Sequence, residues 1–465
     1  MARRTPSPLS VALDRGAREP LPRQLADSVR SAVQRGALTA GERLPSTRAL
    51  ADDLGVARGV VADAFDQLIA EGWLTGLRGS GTFVADGVEG IVSTRSGGGD
   101  VPPDRASAAQ RDVIRLDTGT PWIDERLRSG WSRAWRRVAA ARMPAGYPDP
   151  RGVPELRAAI ADHVSRHRGL ACSGDNIVVT AGTAHGLALA LEALPAGAVA
   201  VEDPGYRAAV ATVELSGRTV VDVPVDDSGI DVELLSATPD DVRAVYVTPA
   251  HQHPLGVAMS AGRRVGLIGE ARRRGLMILE DDYDSEFRYD VAPLPALAQL
   301  DPDRVIYLGT ASKTLGPGLR VGWLVAPALF ADEVAARRDG RHDTPPWPAQ
   351  RAMLSMLDEG YLTRLVRAAR RQYAIRSHAV IAALEPFGEV SGGAAGMYLT
   401  LSLEPSLAER VARRALDDGV EVPLLADYCR TSVRGGLVIG YGGVSDDEFE
   451  QVLRVLVRAL RLEVG

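Results

Sequence analysis

Residues 307–323 read YLGTASKTLGPGLRVGW and contain Lys313, the only lysine in a chain of 465 residues. The apolar run VIYLG, which starts at residue 305, predicts a buried strand, so Lys313 follows the carboxyl end of that strand. All the other basic residues among the 54 lysines and arginines are arginines. A guanidinium stays protonated at any ordinary pH, whereas an amine can lose its proton and attack a carbonyl. The single lysine therefore indicates a site at which arginine cannot act, with codon bias as the alternative explanation.

The residues around this stretch predict a mainly parallel sheet. Four more apolar runs, each beside a helical pattern, are NIVVTAG (176–182), AVAVED (198–203), AVYVTP (244–249) and MILEDDY (277–283). Buried strands spaced by helices are typical of a sheet covered on both faces, which binds ligands at the carboxyl ends of its strands. Near the C-terminus, MYLTLSL, GLVIGY and a helix from about Ser445 to Leu462 predict a smaller α+β lobe.

The ends of these runs carry groups that suit a phosphorylated aldehyde. Lys313 can reach an aldehyde carbon. Backbone N–H groups at the start of a helix favour an anion, and hydroxyls and a guanidinium suit a phosphate. The candidate phosphate-binding residues are Gly182, Thr183, Thr310, Ser312 and Arg320.

Aromatic and acidic residues suit the ring of such a cofactor. Asp281 and Tyr283 come at the end of MILEDDY, where a carboxylate can pair with a pyridinium nitrogen and make the ring an electron sink. Tyr283 can donate to a ring hydroxyl, and Tyr206 can stack on the ring face. A solvated loop and a surface tyrosine are the alternatives for either motif alone, but the combination disfavours them.

The order of these motifs resembles the fold-type I aminotransferases, and GYPDPRGVPELRAAIADHV (146–164) resembles the opening of that domain. The resemblance implies pyridoxal 5'-phosphate as cofactor and Lys313 as the Schiff-base lysine. It also implies Asp281 as pyridinium partner, Tyr283 near the ring hydroxyl and Tyr206 as the stacking residue. Gly182, Thr183 and Arg320 are assigned to the phosphate.

Two further assignments from this resemblance stay open. Aminotransferases contact the ring oxygen with an asparagine near TPAHQHPLG (248–256), where His251 or Gln252 stands here. Leu255 also departs from the Thr or Ser that is usual in this motif. A substrate or effector carboxylate is expected to bind an arginine near GLVIGY, either Arg430 or Arg434, although an arginine with a purely structural role is the more common case.

The N-terminal residues predict a winged helix-turn-helix. In LPSTRALADDLGV (44–56), Ser46 or Thr47 can cap a helix through Asp52, and a turn separates it from a second helix that runs from about Arg58 to Gly72. Residues 73–84, which end in GSGTFV, predict two strands and a wing.

These motifs resemble the GntR family of bacterial regulators, which implies binding to operator DNA. A winged helix that contacts protein is the alternative. Ala57 and Gly59 stand where the family usually has Ser or Thr, which weakens the cap of the second helix. The expected DNA contacts are Arg48, Arg58, Gly79, Ser80 and Gly81.

The combination of both parts resembles the MocR/GabR subfamily over essentially the whole chain. We expect a DNA-binding domain at residues 1–85, a Gly-, Ser- and Pro-rich flexible linker at 86–112 and an aminotransferase-like domain at 113–465. The expected function is transcription regulation in which an amine, an amino acid or pyridoxal phosphate itself is sensed. A working aminotransferase that carries a DNA-binding module is the alternative. The resemblance also implies a homodimer in a head-to-tail arrangement.

Composition excludes several other classes of protein. No apolar run approaches the roughly 20 residues that a membrane helix needs, and no signal segment follows the first residues, so we expect a cytoplasmic protein. Cys172 and Cys429 are too few for a disulfide framework, and no cluster of Cys and His has zinc spacing, so no metal is expected. The net charge of −6 means that any DNA-binding face depends on where the arginines are placed.

Overall fold

The chain forms two units, which are described separately. The computed structural model describes residues 13–17, 19–77, 81–86, 113–124, 128–289, 294–393 and 395–464. The units are Met1–Ala109 and Gln110–Gly465. The predicted linker lies outside the described residues except for Asp86, so its boundaries stay a prediction.

The first unit contains three helices and a two-stranded antiparallel sheet, namely α1 Leu21–Gln34, α2 Thr47–Leu54, α3 Arg58–Ala70, β1 Leu74–Leu77 and β2 Gly81–Val84. The Ser46 hydroxyl caps α2 by accepting a hydrogen bond from the Ala49 N–H at 3.2 Å, and Gly55 ends this helix in the left-handed conformation at φ 63°. α3 follows Ala57 without a side-chain cap. The apolar faces of the helices meet in one core that includes Leu25 and Leu68. The predicted winged helix-turn-helix is confirmed.

The larger unit begins with a part that contains alternating strands and helices. Its elements are β3 Ile114–Arg115, α4 Arg128–Ala140, α5 Pro154–Arg168, β4 Ile177–Thr180, α6 Thr183–Ala193, β5 Ala198–Asp203, α7 Arg207–Leu215, β6 Val220–Asp226, β7 Gly229–Ile230, α8 Val232–Ser236, β8 Val242–Val247, α9 Ala261–Arg274, β9 Met277–Asp282, β10 Val305–Thr310, α10 Ser312–Leu315, β11 Gly322–Val325, α11 Ala328–Asp339 and α12 Trp347–Asp358.

Eight of these strands form one sheet in the order β4-β11-β10-β9-β8-β5-β6-β7. Pairing is parallel from β10 through β6, whereas β11 and β7 run antiparallel to their neighbours. β4 therefore runs in the same direction as β9 and β10. Helices cover both faces of the sheet in two apolar cores, so strands such as β4 and β5 are buried along their whole length. The carboxyl ends of β4, β5, β9 and β10 lie at the same edge.

The C-terminal lobe is the smaller α+β part that the sequence predicts. Its elements are α13 Tyr361–Leu384, β12 Val390–Ser391, β13 Tyr398–Ser402, α14 Pro405–Asp417, β14 Val420–Glu421, β15 Gly436–Gly440 and α15 Asp446–Val464. β12, β13 and β15 form an antiparallel sheet, and β14 pairs with β3. None of the helices in the described residues is long and apolar enough to span a membrane.

Close packing in the large sheet can be tested at Gly309, in the middle of β10. A Cβ atom at this position would lie 2.3 Å from the indole nitrogen of Trp323, which is itself buried. We expect Gly309→Ala to lower the free energy of unfolding by about 1–3 kcal/mol, because an overpacked core forces its neighbours to move. Chemical denaturation measures this change. Gly262 in α9 has open space around its Cβ position, so Gly262→Ala should be neutral or slightly stabilising. Equal stability of the two variants would contradict the packing at Gly309.

Candidate functional site

A cavity of about 650 Å³ lies at the carboxyl ends of β4, β9 and β10. The structure brings most of the predicted cofactor residues to its wall, together with a segment that precedes α4. The predicted residues that line it are Gly182, Thr183, Tyr206, Asp281, Tyr283, Thr310, Ser312, Lys313 and Arg320.

Lys313 lies in α10, one turn beyond the end of β10. Its Nζ donates a hydrogen bond to the carbonyl of Gly119 at 2.8 Å. Burial lowers the pKa of the Lys313 amine, while the carboxylates of Asp117, Asp284 and Asp281 oppose that shift. A buried amine with a lowered pKa loses its proton more readily, which suits attack on a carbonyl.

Asp281 places a carboxyl group in the wall of the same cavity. Its Oδ2 accepts a hydrogen bond from the Tyr246 hydroxyl at 2.5 Å. Its Oδ1 is buried and has no hydrogen-bond partner among the described residues. Burial raises the pKa of this carboxyl to about 7, although the hydrogen bond from Tyr246 and the nearby Thr183 hydroxyl act in the opposite direction. Because a buried oxygen without a donor is costly, this position fits a ligand that brings an N–H group.

Another part of the cavity wall suits an anion. Gly182 precedes α6 with φ 109°, and a Cβ there would lie 3.4 Å from the Arg320 guanidinium. Within the described part of the chain, that guanidinium has no hydrogen-bond or ion-pair partner. Thr310 and Ser312 form a hydroxyl pair at 2.9 Å nearby. A helix N-terminus, an unpaired guanidinium and two hydroxyls are the donors that a phosphate needs.

Tyr283 lines the cavity with its ring, but its hydroxyl is engaged elsewhere. The hydroxyl donates to the carbonyl of His251 at 2.8 Å and shares a 2.7 Å hydrogen bond with the Tyr398 hydroxyl. In this structure the Tyr283 hydroxyl is therefore engaged with the protein, and its contact to a ring hydroxyl stays a prediction.

The structure does not bring the side chains of His251 and Gln252 to the cavity. His251 is buried against Asp284, with 2.7 Å between its Nδ1 and the carboxylate. The amide of Gln252 donates to the carbonyl of Pro204 at 2.8 Å. His253 lines the cavity instead. The sequence analysis above does not predict His253 as a cavity residue, although its position directly before the proline of HQHPLG could have indicated it.

Arg430 and Arg434 also lie outside the cavity. Arg430 binds Asp222 at 2.9 Å and Glu214 at 3.2 Å, and Arg434 donates to the carbonyl of Val225 at 2.6 Å. Arg430 thus pairs with carboxylates of the large sheet and of the helix beside it and Arg434 bonds to a backbone carbonyl of that sheet, and the binding of a ligand carboxylate by either residue stays a prediction.

Arg207 lines the cavity, as Arg320 does. Its guanidinium carbon lies 4.9 Å from the ring centre of Tyr428, another residue of the wall. The sequence does not indicate that Arg207 lines the cavity, although Arg207 directly follows Tyr206. One arginine among 53 cannot be distinguished from the others by residue type alone.

The predicted DNA contacts fall on the second and third helices of the first unit. Arg48 is exposed on α2 and makes no hydrogen bond or ion pair within the described residues. Arg58 begins α3, and its Nε donates to the Thr47 hydroxyl at 3.3 Å. Gly81 begins β2 beside Arg43, whose Nε would lie 2.9 Å from a Cβ at this glycine. Gly79 and Ser80 lie outside the described residues.

Comparison with known proteins adds two family matches. Residues 21–84 match the gntR family of bacterial regulatory proteins, and residues 111–456 match the class I and II aminotransferases. The chain is 35% identical over 465 residues to the HTH-type pyridoxine biosynthesis transcriptional regulator PdxR of Corynebacterium glutamicum, with 98% of this chain and 99% of that protein covered. It is 34% identical to the probable rhizopine catabolism regulatory protein MocR of Rhizobium meliloti, with 93% and 92% covered. An archaeal alanine:glyoxylate aminotransferase is structurally similar, with a TM-score of 0.68 and 27% identity over 75% of this chain and 91% of its own.

The raised pKa of Asp281 predicts a pH-dependent effect of Asp281→Asn on stability. The ordinary aspartate value is 3.8 and the folded value is about 7, so the native protein without cofactor holds a proton that the unfolded chain releases. Burial of the carboxylate therefore destabilises the wild type as pH rises from about 4 to 7, by at most about 4 kcal/mol. Asparagine is neutral at every pH. The free energy of unfolding of the variant should therefore increase relative to that of the wild type between pH 5 and pH 8.

Chemical denaturation of both cofactor-free proteins at these two pH values measures the difference. A difference between wild type and variant that stays the same from pH 5 to pH 8 would contradict the raised pKa.

Proposed function

Since the chain belongs to the MocR subfamily of GntR-type transcription regulators, we propose that its N-terminal unit binds operator DNA and that pyridoxal 5'-phosphate in its larger unit controls that binding. The larger unit is an aminotransferase-like domain that binds pyridoxal phosphate. The observation that carries the proposal is the unpartnered, buried oxygen of Asp281 in the same cavity as the chain's single lysine.

The residues of the cavity fit the polar groups of pyridoxal phosphate. We assign Lys313 to the aldehyde and Asp281 Oδ1 to the protonated ring nitrogen. Tyr206 is assigned to the ring face. The phosphate is assigned to the anion-binding end of the cavity, which consists of Gly182, Thr183, Thr310, Ser312 and Arg320. When bound, the cofactor supplies a carbonyl that reacts with amines and a ring that accepts electrons.

These residues have separate physical roles. Lys313 supplies an amine that burial makes easier to deprotonate, and the carbonyl of Gly119 holds this amine in the cavity. Asp281 gains a donor for an oxygen that otherwise has none. Arg320 supplies the positive charge that compensates a phosphate.

The geometry of the first unit supports DNA binding. α2 and α3 stand in the relation of a helix-turn-helix, whose second helix enters the major groove, and β1 and β2 form the wing. Arg48 is free to contact DNA, and Arg58 starts the recognition helix. We propose both as DNA contacts, together with the wing residues Gly79, Ser80 and Gly81.

We propose pyridoxal phosphate itself as the signal. The relative from Corynebacterium glutamicum is described as a regulator of pyridoxine biosynthesis. Arg430 and Arg434, the expected ligands for an amino-acid carboxylate, are engaged with other groups of the protein. An amine or amino acid is the second candidate, and the position of Arg207 in the cavity wall favours it.

A working aminotransferase stays the alternative for the larger unit, because Lys313 and Asp281 are both present in its cavity. A steady-state turnover assay with an amino donor and a keto acid separates the two functions. A regulator should form its complex with the cofactor without sustained transamination.

We also propose that the protein is a homodimer with a head-to-tail arrangement. We propose a cytoplasmic location, because the operator DNA lies there. Winged helices of this type bind two half-sites, which a protein with twofold symmetry matches.

Substitution of the two arginines tests the DNA-binding assignment. Arg48→Ala and Arg58→Ala should each weaken binding to a DNA fragment selected by the wild type. A lost base contact costs about 1–3 kcal/mol, and a lost phosphate contact lowers the slope of binding against salt by about one unit. Fluorescence anisotropy at several salt concentrations measures both quantities.

The matched control is Arg23→Ala, since Arg23 is an exposed arginine of α1 that pairs with Glu19. This control should bind DNA like the wild type, and all variants should keep the colour of the cofactor. If Arg48→Ala and Arg58→Ala also bind like the wild type, the two helices do not read DNA as proposed.

A further inference from the structure

The amine of Lys313 is hydrogen-bonded to the segment with which the larger unit begins. Its Nζ donates to the carbonyl of Gly119 at 2.8 Å, and among the described residues this amine makes no other hydrogen bond or ion pair. Gly119 lies in residues 113–122, which we call the entry segment because they are the first described residues after the predicted linker. The hydrogen bond therefore joins the chain's single lysine to the stretch that follows the linker in sequence.

The C-terminal lobe holds both ends of the entry segment. At its start, β3 pairs in parallel with β14 of the lobe, and Leu116 is buried in the apolar core of the lobe. At its end, the N–H of Trp122 donates to the hydroxyl of Tyr373 in α13 at 2.8 Å. The entry segment is therefore bound to the lobe on either side of Gly119.

The turn between these ends also packs against the lobe. A Cβ at Gly440 would lie 2.3 Å from the carbonyl oxygen of Asp117, and a Cβ at Gly442 would lie 2.5 Å from the carbonyl oxygen of Thr120. Because side chains at these two positions would collide with the turn, the glycines allow its backbone to lie directly on the lobe. The entry segment is thus part of the lobe by its packing.

The turn at residues 117–120 lies in the wall of the cofactor cavity. The Asp117 carboxylate accepts hydrogen bonds from the Gly119 N–H at 2.8 Å and from the Thr120 hydroxyl at 2.9 Å, so the turn has a defined shape. Lys313 belongs instead to α10, which follows β10 of the large sheet. The Lys313–Gly119 hydrogen bond therefore connects the large sheet to a turn that packs on the C-terminal lobe.

Reaction of this amine with an aldehyde removes the donor that the Gly119 carbonyl accepts. A neutral amine carries two hydrogens on its nitrogen. When it condenses with an aldehyde, a C=N bond forms and the aldehyde oxygen leaves as water with both of these hydrogens. If the product is then protonated, its single N–H lies in the plane of the C=N group, beside the phenolic oxygen of the cofactor. In both forms the carbonyl of Gly119 loses its partner, which is costly for a polar group that is not fully exposed.

On the basis of the proposed function, we propose that the Lys313–Gly119 hydrogen bond holds the entry segment against α10 in the cofactor-free protein, and that reaction of Lys313 with the aldehyde releases the segment. Release changes the position of the entry segment relative to the large sheet. Because the segment follows the linker in sequence, this change reaches the DNA-binding unit through the chain itself. The cofactor then favours one of two positions of the segment, as control of DNA binding requires.

Substitutions of Lys313 in the full chain separate this hydrogen bond from the other contacts of the cofactor. Lys313→Met keeps a long side chain without a donor, so it should release the entry segment with no cofactor present. Lys313→Arg keeps N–H donors but cannot form the C=N bond, so it should keep the segment held. Lys313→Ala is a second variant without a donor, for use if methionine disturbs folding. Fluorescence anisotropy with a DNA fragment selected by the wild type measures the DNA dissociation constants.

We expect cofactor-free Lys313→Met to resemble the wild type with bound pyridoxal phosphate. If the cofactor changes the DNA dissociation constant of the wild type by about 5–150-fold, Lys313→Met should show a change in the same direction and of at least half that size on a logarithmic scale. Lys313→Arg should bind DNA like the cofactor-free wild type. Added pyridoxal phosphate should change the DNA affinity of neither variant.

Hydrogen exchange gives a second readout that involves neither DNA nor cofactor. In the cofactor-free proteins, a peptide that covers the entry segment should exchange faster in Lys313→Met than in the wild type or in Lys313→Arg, because a segment with fewer contacts opens more often. A peptide from α9 is the control and should exchange equally in all three proteins.

Two results overturn the role of this hydrogen bond. One is a Lys313→Met protein that binds DNA like the cofactor-free wild type although pyridoxal phosphate changes the DNA affinity of the wild type. The other is an entry segment that exchanges equally fast in Lys313→Met and in the wild type. A wild type whose DNA affinity does not respond to pyridoxal phosphate would refute the proposed function instead, so the two failures are distinguishable.

Discussion

The burial of Asp281 is the constraint on which the cofactor site depends. Two carboxyl groups, Asp281 and Glu202, lie deep at the carboxyl edge of the sheet, and burial raises the pKa of each to about 7. Both oxygens of Glu202 accept hydrogen bonds from Thr248, and one also accepts from Gln252, whereas one oxygen of Asp281 has no hydrogen-bond partner among the described residues. We propose that the protonated ring nitrogen of pyridoxal phosphate would donate to this oxygen and so would remove the penalty of leaving it without a donor. Ligand binding shifts the protein from one conformation to another only if the ligand binds the two conformations with different affinity. A donor to Asp281 would produce such a shift if it reached the buried oxygen better in one conformation than in the other.

Sequence patterns predict the fold and most of the cavity wall because parallel strands collect their ends at one edge. β9 and β10 are neighbours in the sheet, with Asp281 paired to Leu308, so MILEDDY and YLGTASK must deliver their polar residues to the same place. The helix-turn-helix can also be predicted from the sequence, because its caps and its turn lie within about a dozen consecutive residues. The roles of the individual side chains at the site stay predictions.

The remaining features depend on contacts that are distant in sequence. The Tyr283 hydroxyl is bound by Tyr398, 115 residues away, and Arg430 is bound by Asp222, 208 residues away. No local pattern indicates such pairings. Any one of three consecutive side chains, those of His251, Gln252 and His253, could face the cavity. The orientation of the loop depends on the hydrogen bonds that Glu202 accepts from Thr248 and Gln252. The sequence indicates the loop that reaches the cavity, whereas the side chain that lines the cavity is His253 rather than His251 or Gln252.

We propose that binding of pyridoxal phosphate in the cavity changes the affinity of the protein for DNA. A measurement of DNA affinity with and without the cofactor tests this proposal directly. The wild type and Lys313→Arg should be compared on the same selected DNA fragment, since arginine keeps the charge but cannot form a Schiff base. Pyridoxal phosphate should change the DNA dissociation constant of the wild type by about 5–150-fold and leave that of Lys313→Arg nearly unchanged. Equal DNA affinity of the wild type in the presence and absence of pyridoxal phosphate would contradict it.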